Sequence, residues 1–297
     1  MNTFSNHYRQ KYGEPVGKIP IDTGLACPNR QHGGCIFCRP ASFTPGYLDS
    51  RDSYRIQIER GKNSLLKGRF KKYLAYFQQE TCTAVPAKTL LPVLSTILDD
   101  SDCLGLILST RPDCVSDNLL APLASLIAEK EKECLFELGL QSIHDKSLQL
   151  LNRNHSYQDF TDCFQRIRRH GTFEIGVHLI FGIPGESEAE MLQSVDTVCA
   201  LGIDALKLHH LQVIRETELH RMYQRGEVHP FTLDAYLVFL QRVLVRIPAN
   251  VTIHRLWATS HPNLLIAPKW DILATHLSTR LKNEMQEKGV FQGSELT

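Results

Sequence analysis

The chain has 297 residues, 42% apolar and 22% charged, a balance ordinary for a globular protein with a large buried core. Its formal net charge is +1, so no global field draws it to nucleic acid or anionic lipid; such a contact needs a local basic patch. The amino terminus lacks the apolar stretch of a secretion signal, the longest apolar runs are too short for a membrane span, and nine cysteines form no regular disulfide framework, so a soluble cytoplasmic protein is expected.

Short apolar runs alternate with amphipathic stretches. Residues 18–22 read as a first strand, followed by the loop Cys27-Pro-Asn-Arg-Gln-His-Gly-Gly-Cys35-Ile-Phe-Cys38. Residues 49–67 read as a helix, 73–78 as a second strand and 90–99 as a second helix. An apolar strand over 104–109 meets the turn Thr110-Arg-Pro-Asp113. Residues 117–132 have helical spacing, with Leu119, Leu120, Leu123 and Ile127 on one face. Strands over 134–140 and 173–181 enclose a helix over 159–170. Gly182-Ile-Pro-Gly185 stops the second of these strands. A helix over 188–201 and a sixth strand over 205–211 follow. Beyond about residue 213 the pattern changes, with helices over 233–245 and within 270–288. The alternation predicts an α/β fold, a partial (β/α)6 TIM-like barrel, with a core over 1–215 and a short helical C-terminal extension over 216–297 packed on it. On such a barrel, sites gather at the C-terminal strand ends.

The cysteine loop follows the first strand and so belongs at that end. Cys27, Cys35 and Cys38 have no fourth thiol nearby. Thiolates suit both zinc and iron–sulfur clusters. Structural zinc is normally closed by four protein ligands, and His32 is the only local candidate for the fourth. A 4Fe–4S cluster held by three thiolates keeps one iron free of protein. A molecule carrying an amine and a carboxylate, such as S-adenosylmethionine, suits that iron. The loop's place at a strand end favours the reactive cofactor, while zinc stays open on spacing alone. The remaining cysteines, Cys82, Cys103, Cys114, Cys134, Cys163 and Cys199, read as small buried hydrophobes.

Further stretches match a known family in order and spacing. They are Tyr73-Leu-Ala-Tyr-Phe-Gln78, Thr110-Arg-Pro-Asp113, Glu137-Leu-Gly-Leu-Gln-Ser142, Asn152-Arg-Asn-His155, His178-Leu-Ile-Phe-Gly-Ile-Pro-Gly185 and Lys207-Leu-His209. With the cysteine loop, they make the chain resemble a radical S-adenosylmethionine (radical SAM) enzyme of the YhcC-like group, related to the catalytic subunit of Elongator. The resemblance implies a reduced 4Fe–4S cluster on Cys27, Cys35 and Cys38 that cleaves S-adenosylmethionine to a 5′-deoxyadenosyl radical. It implies Phe37 beside the adenine, Gln141 on the ribose, Arg153 on the cosubstrate carboxylate and Gly182 closing its backbone on the adenine. Ordinary packing or a plain turn is the alternative for Phe37 and Gly182, and a solvated helix-end cation for Arg153. Residues 78–83, with Gln78 and Thr81, take the place of the family's glycine-rich turn without its glycines. Ser109 stands where relatives often carry a glutamate.

His178 and His209 are expected in the pocket, and His254, Arg255 and Trp257 at the barrel mouth. The basic runs over 60–72 and 166–170 read as solvated helix faces or as phosphate contacts. No cysteine follows Cys199, so a single-cluster enzyme is expected. The Elongator resemblance implies a tRNA wobble uridine as substrate, hence tRNA as a partner, and a reductant such as flavodoxin or ferredoxin. Two alternatives are a single-cluster enzyme of the porphyrinogen-oxidase type and a zinc-stapled, non-enzymatic RNA-binding protein.

Overall fold

Thr3 starts the first helix: its hydroxyl accepts a hydrogen bond from the Asn6 amide, and α1 (Phe4–Tyr12) runs to a left-handed Gly13. The computed structural model describes residues 1–296. After α1 come β1 (Val16–Pro20), α2 (Tyr54–Gly61), β2 (Lys72–Phe77), α3 (Ala87–Leu98), β3 (Cys103–Thr110), α4 (Asp117–Glu129) and β4 (Glu133–Gln141). Then follow α5 (Asp145–Leu150), α6 (Tyr157–Arg168), β5 (Glu174–Phe181), α7 (Glu188–Ala200) and β6 (Ala205–His210). The remainder is β7 (Val213–Ile214), α8 (Glu218–Gln224), α9 (Leu233–Leu244), β8 (Thr252–Arg255), β9 (Leu265–Ala267) and α10 (Ala274–Glu287). Reciprocal capping boxes start α6 (Ser156 with Asp159) and α7 (Ser187 with Glu190).

Seven strands form one parallel sheet in the order β1-β2-β3-β4-β5-β6-β8. Strands β7 and β9 form a separate antiparallel pair. The sheet curls until its edges meet through side chains: Lys18 Nζ on β1 lies 3.3 Å from His254 Nδ1 on β8. Alternation along each strand splits the core. Outward residues such as Phe136, Leu138, Val177 and Leu208 pack on the helices with Leu94, Leu123, Phe160 and Val195. Inward residues Val16, Leu74, Ile107, Leu135 and Ala205 make an apolar plug with Tyr8 of α1. No helix among the described residues is long and apolar enough to cross a membrane.

The partial α/β barrel agrees with the alternation in the sequence, with one strand more than the six expected. The seventh, β8, comes from the segment expected to be helical; its four residues are too few to show a period. The helix expected over 49–67 is shorter. It begins after Ser53, whose hydroxyl caps Ile56, and passes into a π turn over Lys62–Leu66 ended by left-handed Lys67. Five short elements (α1, α5, α8, β7 and β9) were not legible as periods either.

Candidate active site

The cysteine loop leaves the C-terminal end of β1, turns where Asp22 accepts from the Gly24 amide, and makes a tight helical turn over Pro28–His32. Gly33 and Gly34 follow at φ +86° and +73°, a region where a side chain is strained. The Asn152-Arg-Asn154 segment holds this loop. Asn152 Nδ2 donates to the carbonyls of His32 (2.9 Å) and Gly34 (2.7 Å). Asn154 Nδ2 donates to Asn29 Oδ1 at 2.6 Å, and Asn29 Nδ2 donates to the Asn152 carbonyl at 2.7 Å. Asn152 and Asn154 are both left-handed (φ +52° and +50°), a conformation Asn adopts more readily than most residues. From the other side, Glu80 accepts from the Cys27 amide at 3.0 Å and from the Arg30 guanidinium, with which it forms an ion pair at 2.7 Å.

Donors point at the sulfurs. Cys27 Sγ accepts from Thr81 Oγ1, and Cys35 Sγ accepts from Asn29 Nδ2 and Arg153 Nη1, each at 3.2 Å. Burial pushes the Cys38 thiol up to about 12, with Cys35 adding to the rise and Arg30 and Arg153 opposing it. All three cysteines line one cavity. Among the described residues no three thiol, imidazole or carboxylate groups converge on a single ion, and His32 is exposed and off the cavity wall. Three thiolates that each bind a different iron have no need to converge. The donor set therefore fits a cluster: hydrogen bonds to sulfur are one of the means by which proteins tune it.

The cavity, with its open mouth, encloses about 1130 Å³. Phe37, Gln78, Thr81, Ser109, Gln141, Arg153, His178 and His209 all line it. Gly182 does not. It sits at φ +87° with its amide on Met191 Sδ (3.1 Å), where a side chain would meet the Phe231 ring at 3.1 Å. Ser109 donates to Glu137 Oε1 at 3.2 Å. Gln141 ends β4 at φ +79°, past a register shift, and its Oε1 is buried without a partner. Gly139 makes room beside it: a Cβ there would meet Gln141 Nε2 at 3.0 Å and Arg153 Nη2 at 3.2 Å. Arg153 Nη2 donates to the Gly139 carbonyl at 2.7 Å, and Arg153 Nε donates to His155 Nε2 at 3.2 Å. Burial, then the Arg153 and Arg111 cations, lower His155 to about 4, so its ring accepts as a neutral base. Arg111 is bound to Asp113, but its Nη1 is buried without a partner. Unpartnered polar atoms in the wall suit a polar cosubstrate.

Under the cavity lies a buried polar layer to which the sequence reading gave no role. Glu137 Oε1 accepts from Tyr76 OH (2.8 Å) and Lys207 Nζ (2.7 Å), and Lys207 Nζ lies 2.6 Å from the same phenol oxygen. Burial alone would raise the Glu137 carboxyl, but Lys207 beside it, with His254 and Lys18, holds it well below the carboxylate range. The His178 and His209 rings are 4.2 Å apart. Burial, then Lys207, pushes His178 well down; burial, then His178 and Arg255, does so for His209. A signal existed: Lys18, Tyr76, Glu137, His178 and Lys207 are polar residues inside otherwise apolar strands. The basic runs contribute nothing here. Residues 60–72 and 166–170 precede the N-terminal ends of β2 and β5, the end opposite the cysteine loop, and Arg60, Lys62, Lys72, Arg166 and Arg168 bind Asp52, Asp100, Asp102, Asp117 and Asp204.

A curled α/β half-barrel, with three cysteines in the loop after its first strand above a polar cavity, is the architecture of radical SAM enzymes. The chain belongs to that superfamily: the radical SAM superfamily model matches residues 22–198, and the radical SAM C-terminal domain matches 203–287. It is similar to protein YhcC of Escherichia coli K12, at 33% identity over 301 residues, covering all of this chain and 95% of that protein. It is also similar to the tRNA uridine(34) acetyltransferase of Methanocaldococcus infernus, at 33% identity over 132 residues, which are 43% of this chain and 24% of that protein. Among solved structures, the archaeal Elp3 of M. infernus without residues 1–46 superposes with a TM-score of 0.69 at 19% identity. That match covers 94% of this chain and 64% of that one, and it supports the fold. The superfamily works with a 4Fe–4S cluster and S-adenosylmethionine. The chain is accordingly a radical SAM enzyme, and the non-enzymatic zinc reading falls away.

Proposed function

We propose that this chain modifies a uridine of tRNA by radical chemistry in the cavity below the cysteine loop. The observation that carries the catalytic part is the joining of Cys27, Cys35, Cys38, Gln141 and Arg153 in one cavity wall, with donors aimed at two of the sulfurs. The likeness to a tRNA uridine(34) acetyltransferase over 43% of the chain supports the substrate. Cys27, Cys35 and Cys38 would hold the cluster, with Thr81 donating to the Cys27 sulfur and Asn29 to the Cys35 sulfur. When bound, the cluster and S-adenosylmethionine supply a one-electron reductive cleavage that yields a 5′-deoxyadenosyl radical. Arg153 has no carboxylate partner among the described residues and offers a fork for the cosubstrate carboxylate. Gln141 Oε1 has a free lone pair for a ribose hydroxyl. Phe37 offers a ring face to the adenine, and Gln78 a side-chain amide at the end of β2. A small flavin or iron–sulfur protein, flavodoxin or ferredoxin, would supply the electron.

Two measurements test this reading. Cys38→Ala, purified without oxygen, should lose its iron and its brown colour, and a full cluster in that variant refutes the ligand set. Nucleosides of tRNA from strains with and without the gene should differ at a uridine by mass spectrometry. Identical profiles refute the tRNA substrate and leave the cluster chemistry standing.

A further inference from the structure

We propose that the wall of the cavity formed by β6 and β8, with Arg255, Lys207 and His209, binds an anionic group of the substrate, a carboxylate or a phosphate. The proposal rests on reading the cavity as the substrate chamber of the proposed function. Five cations line this cavity. Arg39, Arg111 and Lys207 have carboxylate partners in Glu216, Asp113 and Glu137. Two do not. Arg153 lies on the Cys35 sulfur, on the cosubstrate side. Arg255 is the other: its Nη1 is 2.8 Å from His209 Nε2 and its Nη2 donates to Thr259 Oγ1 at 3.2 Å. Both are neutral acceptors, so its hydrogen bonds are satisfied in part and its charge is not.

The layer beneath adds to the imbalance. Lys207 binds the single carboxylate of Glu137, whose side chain is 1% exposed, while burial, with Lys207 and Arg255 beside it, lowers Lys18 to about 7 against the pull of Glu137. Lys207 and Arg255 thus set two cations against one carboxylate. His178 and His254 border the same layer and bring no negative charge. His178 Nε2 is buried there without a partner. Positive charge gathered in a cleft with low-dielectric walls focuses its field on whatever enters. A guanidinium fork set beside the Thr259 and Ser260 hydroxyls recognises the oxygens of a compact oxyanion. β8 was built for this role by a register shift: the break between Leu206 and Lys207 pairs Lys207 with Arg255, so that His254 and Arg255 both serve the interior.

The test uses the anaerobically reconstituted holoenzyme saturated with S-adenosylmethionine, so that Arg153 is already engaged. Calorimetric titration is done with inorganic phosphate, acetate and uncharged acetamide. Phosphate or acetate should bind and acetamide should not; which of the two binds tighter identifies the kind of anion. Arg255→Gln should weaken that binding about 10- to 100-fold, the range of one charged hydrogen-bond pair. Arg255→Lys, which keeps the charge, should weaken it less and controls for misfolding. Equal anion affinity in Arg255→Gln and wild type overturns the proposal, as does the absence of binding by both anions. The uridine comparison stays separate: unchanged tRNA with Arg255-dependent anion binding removes the tRNA substrate and keeps this site.

Discussion

Glu137→Gln is the sharpest probe of the buried layer. The substitution keeps the shape and an acceptor oxygen for Tyr76 and Ser109, and removes only the charge. It strands Lys207, whose side chain is 8% exposed and whose ammonium lies 2.7 Å from the carboxylate, with no other anion among its partners. Breaking a buried pair from one side costs about 3–5 kcal/mol, because the remaining charge is left in low dielectric. Urea unfolding at pH 7, on samples with matched cluster occupancy, should show that loss as a lower midpoint with an unchanged slope. The sign of the pH effect follows. In the variant the stranded lysine favours its neutral form when folded, so the unfolded chain binds more protons, and the deficit should shrink as pH rises from 7 to 9. Adding Lys207→Met, which removes the stranded ammonium and leaves the neutral amide at position 137 with Tyr76 and Ser109, should recover about half of the loss or more. A deficit under about 1 kcal/mol for Glu137→Gln, or a double variant whose loss is the sum of two large single losses, refutes this reasoning.

Three further perturbations separate the parts of the site. Gly139→Ala puts a Cβ against the flexible ends of Gln141 and Arg153, so the fold and the iron content should hold while equilibrium dialysis shows weaker S-adenosylmethionine binding; unchanged affinity removes both residues from that role. Asn152→Ala deletes two hydrogen bonds to the cysteine loop and should cost about 1–3 kcal/mol of local stability, read as faster iron loss to a chelator. His254 is buried and lowered from 6.5 to about 4, chiefly by burial and then by Lys18. Its contribution is complete above pH 6.5 and is lost as pH falls toward 4, so about 2 kcal/mol should disappear between pH 7 and 5, and His254→Asn should flatten that slope in urea midpoints.

The cavity rim was legible because it is a matter of topology. Residues at the ends of parallel strands reach the same rim, so Gln141 and His209 could be placed there from strand ends, while Gln78 and Ser109 were singled out by the family resemblance and line the same cavity. The Asn152-Arg-Asn154 stretch was visible as a motif, but its work, gripping the cysteine loop through two left-handed asparagines, depends on a contact 118 residues away. Glu137 and Lys207 are 70 residues apart, and only the strand register joins them. Arg255 was expected at the barrel mouth and lines the cavity, but its strand, with four residues, has too few positions to reveal a period. Gly182 ended a strand as foreseen, yet its free face meets Phe231 instead of the cavity.

The order of the inward layers explains why a polar floor is tolerated in the middle of a barrel. Next to α1 the plug of Leu74, Ile107, Leu135 and Ala205 is at most 3% exposed, so this layer is packed by apolar contacts. One layer up, Tyr76, Glu137 and Lys207 are tied to one another by hydrogen bonds. Above them lies the cavity, lined by the cysteine loop and by Arg255 of β8. A reactive intermediate made there meets fixed dipoles where bulk water would otherwise be, which limits side reactions. The floor therefore combines apolar packing on its α1 side with charge that, in the proposed function, faces a polar substrate.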